Sequence, residues 1–316
     1  MSRPVYDSPR TGESTATAES TATAESTATA ESTATPESTA TPESTTTAGV
    51  PPDLVRAFPV PPALELRGVS KSFGHPGGDQ LVLDDISLAV APGEFVCLLG
   101  ASGCGKSTLL ALAAGIDEPS AGAVSAVGPR PALMFQEHAL FPWLTAGKNI
   151  ELALRLRGVP RRERRPEAER LLGLVRLSGA YGKRVHELSG GMRQRVALAR
   201  ALAQASQVLL MDEPFAALDA ITRDLLHEEL IRVWHEWNQP ATDSRSLSVL
   251  FVTHNVREAV RLGGRVVLLA SRPGRIARQW RIDLTYPRRL EDEAVAEKAK
   301  EITEELRKEI SRHARS

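Results

Sequence analysis

The feature that most constrains this chain is a glycine-rich octapeptide, Gly100-Ala-Ser-Gly-Cys-Gly-Lys-Ser107. An apolar run, Glu94–Leu99, precedes it, and a helix-like run, Thr108–Ala114, follows it. This order fits the phosphate-loop pattern G-x-x-x-x-G-K-[ST] between a strand and a helix. Glycines let the backbone point several N–H groups at a polyphosphate, and the helix N-terminus adds partial positive charge. The two flanking elements disfavour the alternative of a plain glycine-rich turn, so the pattern predicts a site for nucleotide phosphates.

The residue types within this loop predict individual roles. Lys106 is expected to reach the β- and γ-phosphates, and the Ser107 hydroxyl is expected to take one position on Mg²⁺. Cys104 lies near the helix N-terminus and a fixed positive charge, both of which lower the pKa of a thiol. We therefore expect a reactive Cys104 that bound ATP protects and an inert Cys97; the alternative is that Cys104 packs as a small residue under the loop. The predicted nucleotide-binding residues here are Gly100, Ala101, Ser102, Gly103, Cys104, Gly105, Lys106, Ser107 and Thr108.

The chain divides by composition into a repetitive N-terminal part and a part able to form a core. From Glu13 to Ala48 it repeats a Glu-Ser-Thr-Ala-Thr-Ala hexad in which Pro36 and Pro42 replace two alanines, and no other apolar side chain there is larger than alanine. Such a segment cannot offset the entropy of folding, so residues 1–58 are predicted to be a disordered tail. Residues 59–285 are predicted to form the main domain, with a helical subdomain at about 139–187, and residues 286–316 a charged C-terminal helix.

Charge and cysteine usage exclude several classes of protein. Residues 1–50 hold two basic and seven acidic side chains, so the remainder carries a mild basic excess of 37 against 32. That excess suits work beside an anionic membrane surface and is too weak to predict nucleic-acid binding. The two cysteines form neither a disulfide framework nor a zinc site, which indicates a reducing cytosol. No apolar run approaches the length of a bilayer span, and no secretory signal is visible.

A second apolar strand supplies the acidic groups that phosphate chemistry requires. Gln207–Met211 is followed at once by Asp212 and Glu213. In open α/β sheets the C-terminal ends of the strands are where ligands bind. Asp212 is therefore expected to hold Mg²⁺, and Glu213 to take a proton from an attacking water. A structural helix cap would look similar in isolation, but the upstream phosphate loop favours the functional interpretation.

Four motifs in a fixed order resemble the nucleotide-binding domain of ABC transporters. They are Gly100–Ser107, Leu188–Gln194, Leu209–Pro214 and Thr253-His254, over a region of similarity from about residue 63 to 280. By itself, Leu188-Ser-Gly-Gly-Met-Arg-Gln194 would be an ordinary helix start. The resemblance implies an α/β P-loop NTPase fold, that is, a RecA-like core with an antiparallel β subdomain and an inserted α-helical subdomain.

The resemblance also implies roles for residues outside the phosphate loop. Ser189, Gly190 and Gly191 would contact the γ-phosphate of ATP bound to the opposite subunit of a head-to-tail dimer. Gln136 would touch Mg²⁺ and water, and His254 would be the γ-phosphate switch. The remaining implied roles are a bridge between the two sites for Asp219 and adenine stacking for Phe73, which stands where the family more often has tyrosine.

Two further segments, whose match is less specific than that of the four motifs, indicate an importer. Phe135–Thr145 and Ser271–Ile276 resemble the ATPases of nitrate, sulfonate and taurine importers. The resemblance implies an ATP-hydrolysing subunit at the cytoplasmic face of the membrane, acting as a homodimer or with a paired ATPase subunit. It would drive a separate integral-membrane permease, served by a periplasmic or lipoprotein solute-binding protein, with no nucleic acid involved. The alternative is a soluble, non-transport ABC ATPase acting on ribosomes or DNA.

The helical insertion carries a cluster of apolar residues, Leu140, Phe141, Trp143 and Leu144. Exposed apolar groups of this kind are expected to receive a permease helix. The alternative is that they form the core of the insertion itself. The basic run that includes Arg161, Arg162, Arg164 and Arg165 is interpreted as a solvated helix face, because no aromatic residues are interleaved.

Overall fold

The computed structural model describes residues 60–75, 78–239 and 246–313. The predicted disorder of residues 1–58 therefore lies outside the described residues. Among these, the strands are β1 Leu64–His75, β2 Gly78–Val90, β3 Phe95–Gly100, β4 Ala121–Ala126, β5 Ala132–Met134, β6 Val208–Asp212, β7 Ser248–Thr253, β8 Arg265–Leu269 and β9 Ile276–Arg281. The helices are α1 Lys106–Ala113, α2 Ala146–Leu156, α3 Arg161–Leu174, α4 Gly190–Leu202, α5 Ala220–Trp237, α6 Val256–Leu262 and α7 Glu293–His313, and Val185–Glu187 forms a short 3₁₀ turn.

Two sheets organise these elements. A six-stranded sheet has the order β5-β6-β7-β3-β8-β9, and its strand pairs are parallel except for the antiparallel β8–β9 edge. A three-stranded sheet has the order β2-β1-β4 and is antiparallel. The mixed α/β architecture with an antiparallel β portion is thus the one expected from the sequence.

The apolar runs of β3, β6 and β7 are buried on both faces, which is typical of strands in a parallel sheet. Along β3, Phe95, Cys97 and Leu99 belong to one core cluster, and Val96 and Leu98 belong to the other. This alternation follows from the two-residue period of a strand. The central sheet therefore separates the two halves of the core, and its C-terminal edge is held rigidly by packing on both sides.

The helices predicted for the stretch 139–187 are present as α2 and α3. Thr145 caps α2, because its hydroxyl accepts a hydrogen bond from the N–H of Lys148 at 3.3 Å. Buried Asn149 ties the loop before α2 to the helix, since it accepts from the N–H of Phe141 and donates to the carbonyl of Thr145. These bonds fix the entry into the helical insertion.

Two features of the fold differ from the sequence-based expectation. The alternation of Ala63–Val69 predicts a strand that ends at Val69, but β1 continues to His75 because bulges between Leu66 and Ser72 interrupt the alternation. Helix α6 was not predicted at all. None of the helices built from the described residues is long and apolar enough to cross a bilayer.

Candidate functional site

The phosphate loop joins the buried end of β3 to α1 in the conformation that its glycines allow. Gly105 precedes α1 with φ of +96°, in the left-handed region that L side chains rarely adopt. A Cβ on Gly100 would lie 2.6 Å from the Sγ of Cys104 and 2.9 Å from the carbonyl oxygen of Leu269. Both positions therefore require glycine for steric reasons.

Lys106 places a cation inside this loop. Its side chain is only 7% exposed, and its Nζ donates hydrogen bonds to the carbonyls of Gly100 and Ala101 at 3.0 Å each. The same Nζ lies 3.8 Å from the Oε1 of Glu213. The loop thus surrounds a positively charged group whose acidic neighbour comes from a different strand.

The carboxylate of Asp212 stands beside the start of α1. Asp212 ends β6, and its side chain is hydrogen-bonded to Ser107. Burial raises the pKa of Asp212, and the Ser107 bond opposes that shift. A hydroxyl and a carboxylate are hard oxygen ligands of the kind that Mg²⁺ prefers, with its remaining positions left to phosphate and water. This pair of residues therefore fits a magnesium site.

Glu213 has an unusual backbone conformation that directs its side chain. Its φ is +42°, which is uncommon for a residue other than glycine, and its N–H donates to the carbonyl of Val252 at 3.1 Å. Its Oε2 accepts a hydrogen bond from the Nδ1–H of His254 at 2.8 Å. The ends of β6 and β7, which are neighbours in the sheet, thus bring together an acid and a histidine.

The predicted residues near the helix starts form a separate group. The Ser189 hydroxyl caps α4 by accepting from the N–H of Met192 at 3.2 Å, and Asp219 caps α5 by accepting from the N–H of Thr222 at 2.9 Å. Ser189 and Gly190 are exposed, and Gly191 is half-buried. Among the described residues, no hydrogen bond or ion pair joins this group to Lys106, Asp212, Glu213 or His254.

Two further predicted residues lie at the edges of the site. Gln136 is exposed two residues beyond the end of β5. Phe73 is near the end of β1, where the residue is 39% exposed and the Nζ of Lys71 lies 4.9 Å from the ring centroid. The Phe73 ring is therefore accessible to a planar partner, while Lys71 is held by Asp117 at 2.7 Å.

The expectation of a reactive Cys104 is wrong. Its side chain is 1% exposed, and burial raises the pKa of the thiol more than the neighbouring Lys106 lowers it. Cys104 thus packs under the loop against Gly100, as the alternative interpretation stated. Cys97 is also buried, and desolvation raises its pKa well above 9.0, which is the direction expected for an inert thiol.

The apolar cluster of the insertion is divided between core and surface. Leu140 is buried at 7% exposure, whereas Trp143 is 67% exposed. Phe141 and Leu144 are half-buried, and the ring of Phe141 lies 5.4 Å from that of Trp143. Of the four residues, Trp143 offers the accessible surface, and Leu140 belongs to the core.

Sequence reasoning missed several residues that support the site. Arg223 donates to the carbonyls of Phe215 and Leu218 at 3.2 and 2.7 Å and so holds the loop after Glu213. Glu258 accepts from the hydroxyl of Thr253, next to His254. Asn255, with Glu258 three residues later, is a helix-start signal that would have revealed α6.

Comparison with known proteins gives consistent matches. The family described as ABC transporter matches residues 83–216. The nitrate import ATP-binding protein of Synechocystis is 44% identical over 231 residues, which cover 70% of this chain and 83% of that protein. The taurine import ATP-binding protein of Chromobacterium violaceum is 45% identical over 235 residues, or 72% of this chain and 87% of that protein. A dimeric ATP-binding cassette solved in a post-hydrolysis state with ADP and Pi has a TM-score of 0.58, with 29% identity, over 70% of this chain and 100% of that one.

Proposed function

Because the chain belongs to the ABC transporter family of ATP-binding proteins, an ATPase family coupled to transport, we propose that it is the ATP-binding subunit of an importer for nitrate, taurine or another sulfonate. The observation that carries this proposal is the cluster at the C-terminal edge of the central sheet. There Glu213 lies 2.8 Å from His254 and 3.8 Å from Lys106. The import names of the relatives support the direction of transport and the class of solute.

ATP is proposed to bind with its phosphates on the loop from Gly100 to Thr108. The backbone N–H groups at the start of α1 and the Lys106 ammonium supply the positive potential that polyphosphate requires. Ser107 and Asp212 would hold Mg²⁺ with Gln136, and the ion supplies charge neutralisation between the phosphates. Phe73 would stack on the adenine with its exposed ring.

Glu213 is proposed as the general base and His254 as the group that orients it. A carboxylate at the end of a strand, next to the lysine of the phosphate loop, is placed to take the proton of a water attacking the γ-phosphate. The Nδ1–H of His254 donates to Glu213, and the imidazole is 64% exposed. Its second nitrogen, Nε2, at the opposite edge of the ring, is left for the γ-phosphate. His254 would therefore sense whether the terminal phosphate is present.

The active assembly is proposed to be a dimer with shared sites. The exposed N-terminus of α4, with Ser189, Gly190 and Gly191, would complete the ATP site of the other subunit, and Asp219 would link the two sites. The dimeric arrangement of the solved relative supports this proposal. The solute would cross the membrane through a separate permease, loaded by a solute-binding protein, with this subunit attached to the cytoplasmic face.

Trp143 is proposed as the contact with the permease. An indole that is 67% exposed in a helical insertion is the kind of anchor that a partner helix buries. Reconstitution with the permease encoded beside this chain should give MgATP-dependent uptake of labelled nitrate or taurine into vesicles. Trp143→Glu should abolish co-purification with the permease and spare basal ATPase activity.

Leu156→Glu is the matched control, because Leu156 is 81% exposed on α2 of the same insertion. Equal loss of permease binding in both variants would contradict docking at Trp143. Co-purification of the wild-type chain with RNA, and not with an integral-membrane protein, would favour the alternative of a soluble ABC ATPase.

A further inference from the structure

A second cavity lies apart from the ATP site. It has a volume of about 470 Å³, within the usual range for small-molecule sites, and it is lined by α5, α6 and the segment between β9 and α7. Ile231, Tyr286 and Pro287 give it an apolar wall. Its basic side chains come from all three elements and are His227, Arg232, His235, Arg261, Arg288 and Arg289. None of the residues assigned above to nucleotide or Mg²⁺ lines it.

Two of the arginines are neutralised within the protein. Arg261 bonds to Asp224 at 2.8 Å and approaches Glu228 at 3.4 Å, and both acids lie on α5. Arg232 pairs with Glu229 and Glu236 on its own helix. Each of these arginines faces two acids, so the pairs hold the cavity walls together and supply no free positive charge to a ligand.

Arg288 and Arg289 carry charge that no acid balances at close range. No carboxylate of the described residues lies within 4 Å of either guanidinium. Arg288 is buried and instead donates to four backbone carbonyls, those of Val260, Gly263, Ile282 and Leu284, which occupy its N–H groups but carry no full negative charge. Arg289 is exposed at the rim of the cavity. Arg289 is therefore the group that can bind an anion directly, and the charge of Arg288, buried in the same wall, favours an anion there.

Aromatic groups on the same wall favour a planar ligand. The rings of His235 and Tyr286 lie 5.1 Å apart and meet edge to face, and the guanidinium of Arg288 lies 4.2 Å from the Tyr286 centroid. Apolar surface beside unbalanced cationic groups matches a molecule with an aromatic body and one anionic substituent. A simple inorganic anion would leave the apolar wall uncovered.

The floor of the cavity leads to the ATP site through buried hydrogen bonds. His227, which is 3% exposed, donates from Nε2 to the Oε1 of Glu258 at 2.5 Å. The other oxygen of Glu258 accepts from the Thr253 hydroxyl, and Thr253 immediately precedes His254. Glu258 and Thr253 also line a small pocket beside Glu213 and His254. A displacement of His227 is therefore transmitted to the residue next to the proposed phosphate switch.

Helix α6 connects the same cavity to His254 by a second route. It begins directly after His254, where Asn255 caps it, and it ends at Leu262. The hydroxyl of Tyr286 donates to the Leu262 carbonyl at 2.6 Å, beside the carbonyls held by Arg288. A ligand that contacts Tyr286 therefore acts on one end of α6, and His254 directly precedes the other end.

We propose that this cavity is a regulatory site for an aromatic organic anion, and that its occupancy controls His254 through the buried chain His227–Glu258–Thr253. Binding fixes α6 between α5 and the C-terminal segment, which restrains His254 and slows ATP turnover. The site differs from the ATP and permease sites proposed above in both its residues and its ligand. Its ligand-binding test does not depend on which solute is transported.

Binding is tested with 8-anilinonaphthalene-1-sulfonate on the full chain, by fluorescence titration with the ATP site saturated by MgADP. Arg289→Glu, which reverses the rim charge, should weaken binding of the probe about tenfold, the worth of about one charge-assisted hydrogen bond. Ile231→Trp should also weaken binding, because the larger side chain fills the cavity. Arg162→Glu, the same charge change on an arginine of α3 whose side chain is 86% exposed, should leave the affinity unchanged. The uncharged analogue N-phenyl-1-naphthylamine should bind about tenfold more weakly than the sulfonate. Equal affinity of the sulfonate for the wild type, Ile231→Trp and Arg289→Glu would overturn the site.

Coupling is tested by reciprocity in a Glu213→Gln background that slows hydrolysis. The probe should lower the affinity for MgATP, and MgATP should lower the affinity for the probe, by one common factor of about five or more. His227→Gln keeps an amide donor near the position of Nε2 and should retain coupling. His227→Leu should bind the probe but lose the coupling. If the probe and MgATP bind independently in the Glu213→Gln variant, the proposed regulation of the ATP site is overturned, whatever the His227 variants show.

Discussion

At the scale of single residues, Glu213 combines a strained backbone with the central chemical role proposed here. A φ of +42° is unfavourable for a glutamate, and such strain persists only where surrounding contacts hold it. Those contacts are the backbone bond to Val252 and the side-chain bond to His254. The two consecutive acids bond to different partners, Asp212 to Ser107 and Glu213 to His254, so that one can serve a metal and the other a water.

Replacing Glu213 with Gln should therefore separate binding from chemistry. The amide keeps the size of the side chain but cannot take a proton, so kcat for ATP hydrolysis should fall by about 10²–10⁴, the usual contribution of a general base. The dissociation constant for MgATP should change little. Glu169→Gln, at an exposed site on α3, serves as the control in the same phosphate-release assay. Near wild-type turnover in Glu213→Gln would remove this residue from the role.

The buried thiol of Cys97 makes a separate prediction about pH. Burial raises its pKa well above 9.0 in the folded protein, whereas the unfolded chain has the ordinary value. Above about pH 9 the unfolded state loses this proton first, so the folded state is destabilised as pH rises, by about 1.4 kcal/mol per pH unit until the thiol ionises in the fold. Urea denaturation between pH 8 and 10.5 should show a steeper fall for the wild type than for Cys97→Ala. Parallel profiles would contradict a protonated Cys97.

At the scale of elements, the long apolar strands and the phosphate loop could be predicted, because their patterns are local. Helix α6 could not be found from its periodicity, since it has seven residues and all of them except Arg257 are buried, so that no polar face marks it. The burial of Cys104 depends on the close approach of Gly100, and the cavity beside α5 depends on elements far apart in sequence. Such features arise from packing across the sheet, which no local pattern records.

The contact between α4 and α5 gives a prediction at this scale. A Cβ on Gly191 would lie 2.7 Å from the Cγ2 of Thr222, so Gly191→Ala should push the two helices apart. We expect a loss of about 1–3 kcal/mol in the free energy of unfolding, as for other overpacked sites. Thr222→Ser removes that methyl group and keeps the hydroxyl, so the double variant should recover most of the loss. Additive effects in chemical denaturation would show that this contact does not limit the packing.

At the scale of the whole molecule, the residues proposed to bind and hydrolyse ATP lie on two separate surfaces of one chain. Lys106, Asp212, Glu213 and His254 meet at the edge of the central sheet, whereas Ser189 and Gly190 are exposed at the start of α4. An exposed helix N-terminus is suited to an anion, but within the described residues no bond connects it to the phosphate loop. A second copy facing head to tail would bring each α4 N-terminus to the other chain's loop, which a single chain does not do.

Mixing two inactive variants tests this division. Ser189→Arg blocks the α4 surface, and Lys106→Ala disables the phosphate loop. In a shared-site dimer the mixed pair has one site with both lesions and one with neither. An equal mixture that exchanges freely should then regain about a quarter of wild-type ATPase activity if the two sites act independently.

The control for this experiment mixes Ser189→Arg with the double variant Ser189→Arg/Lys106→Ala, which cannot form an intact site in any pairing. Different affinity tags on the two partners allow the mixed dimers to be isolated before the assay. Recovery in the first mixture but not in this control would place Ser189 in the ATP site of the opposite subunit. Only pairing between two chains can give a site that carries neither substitution. If isolated mixed dimers remain as inactive as either parent, the two surfaces do not complement each other and the ATP site would have to be formed within one chain.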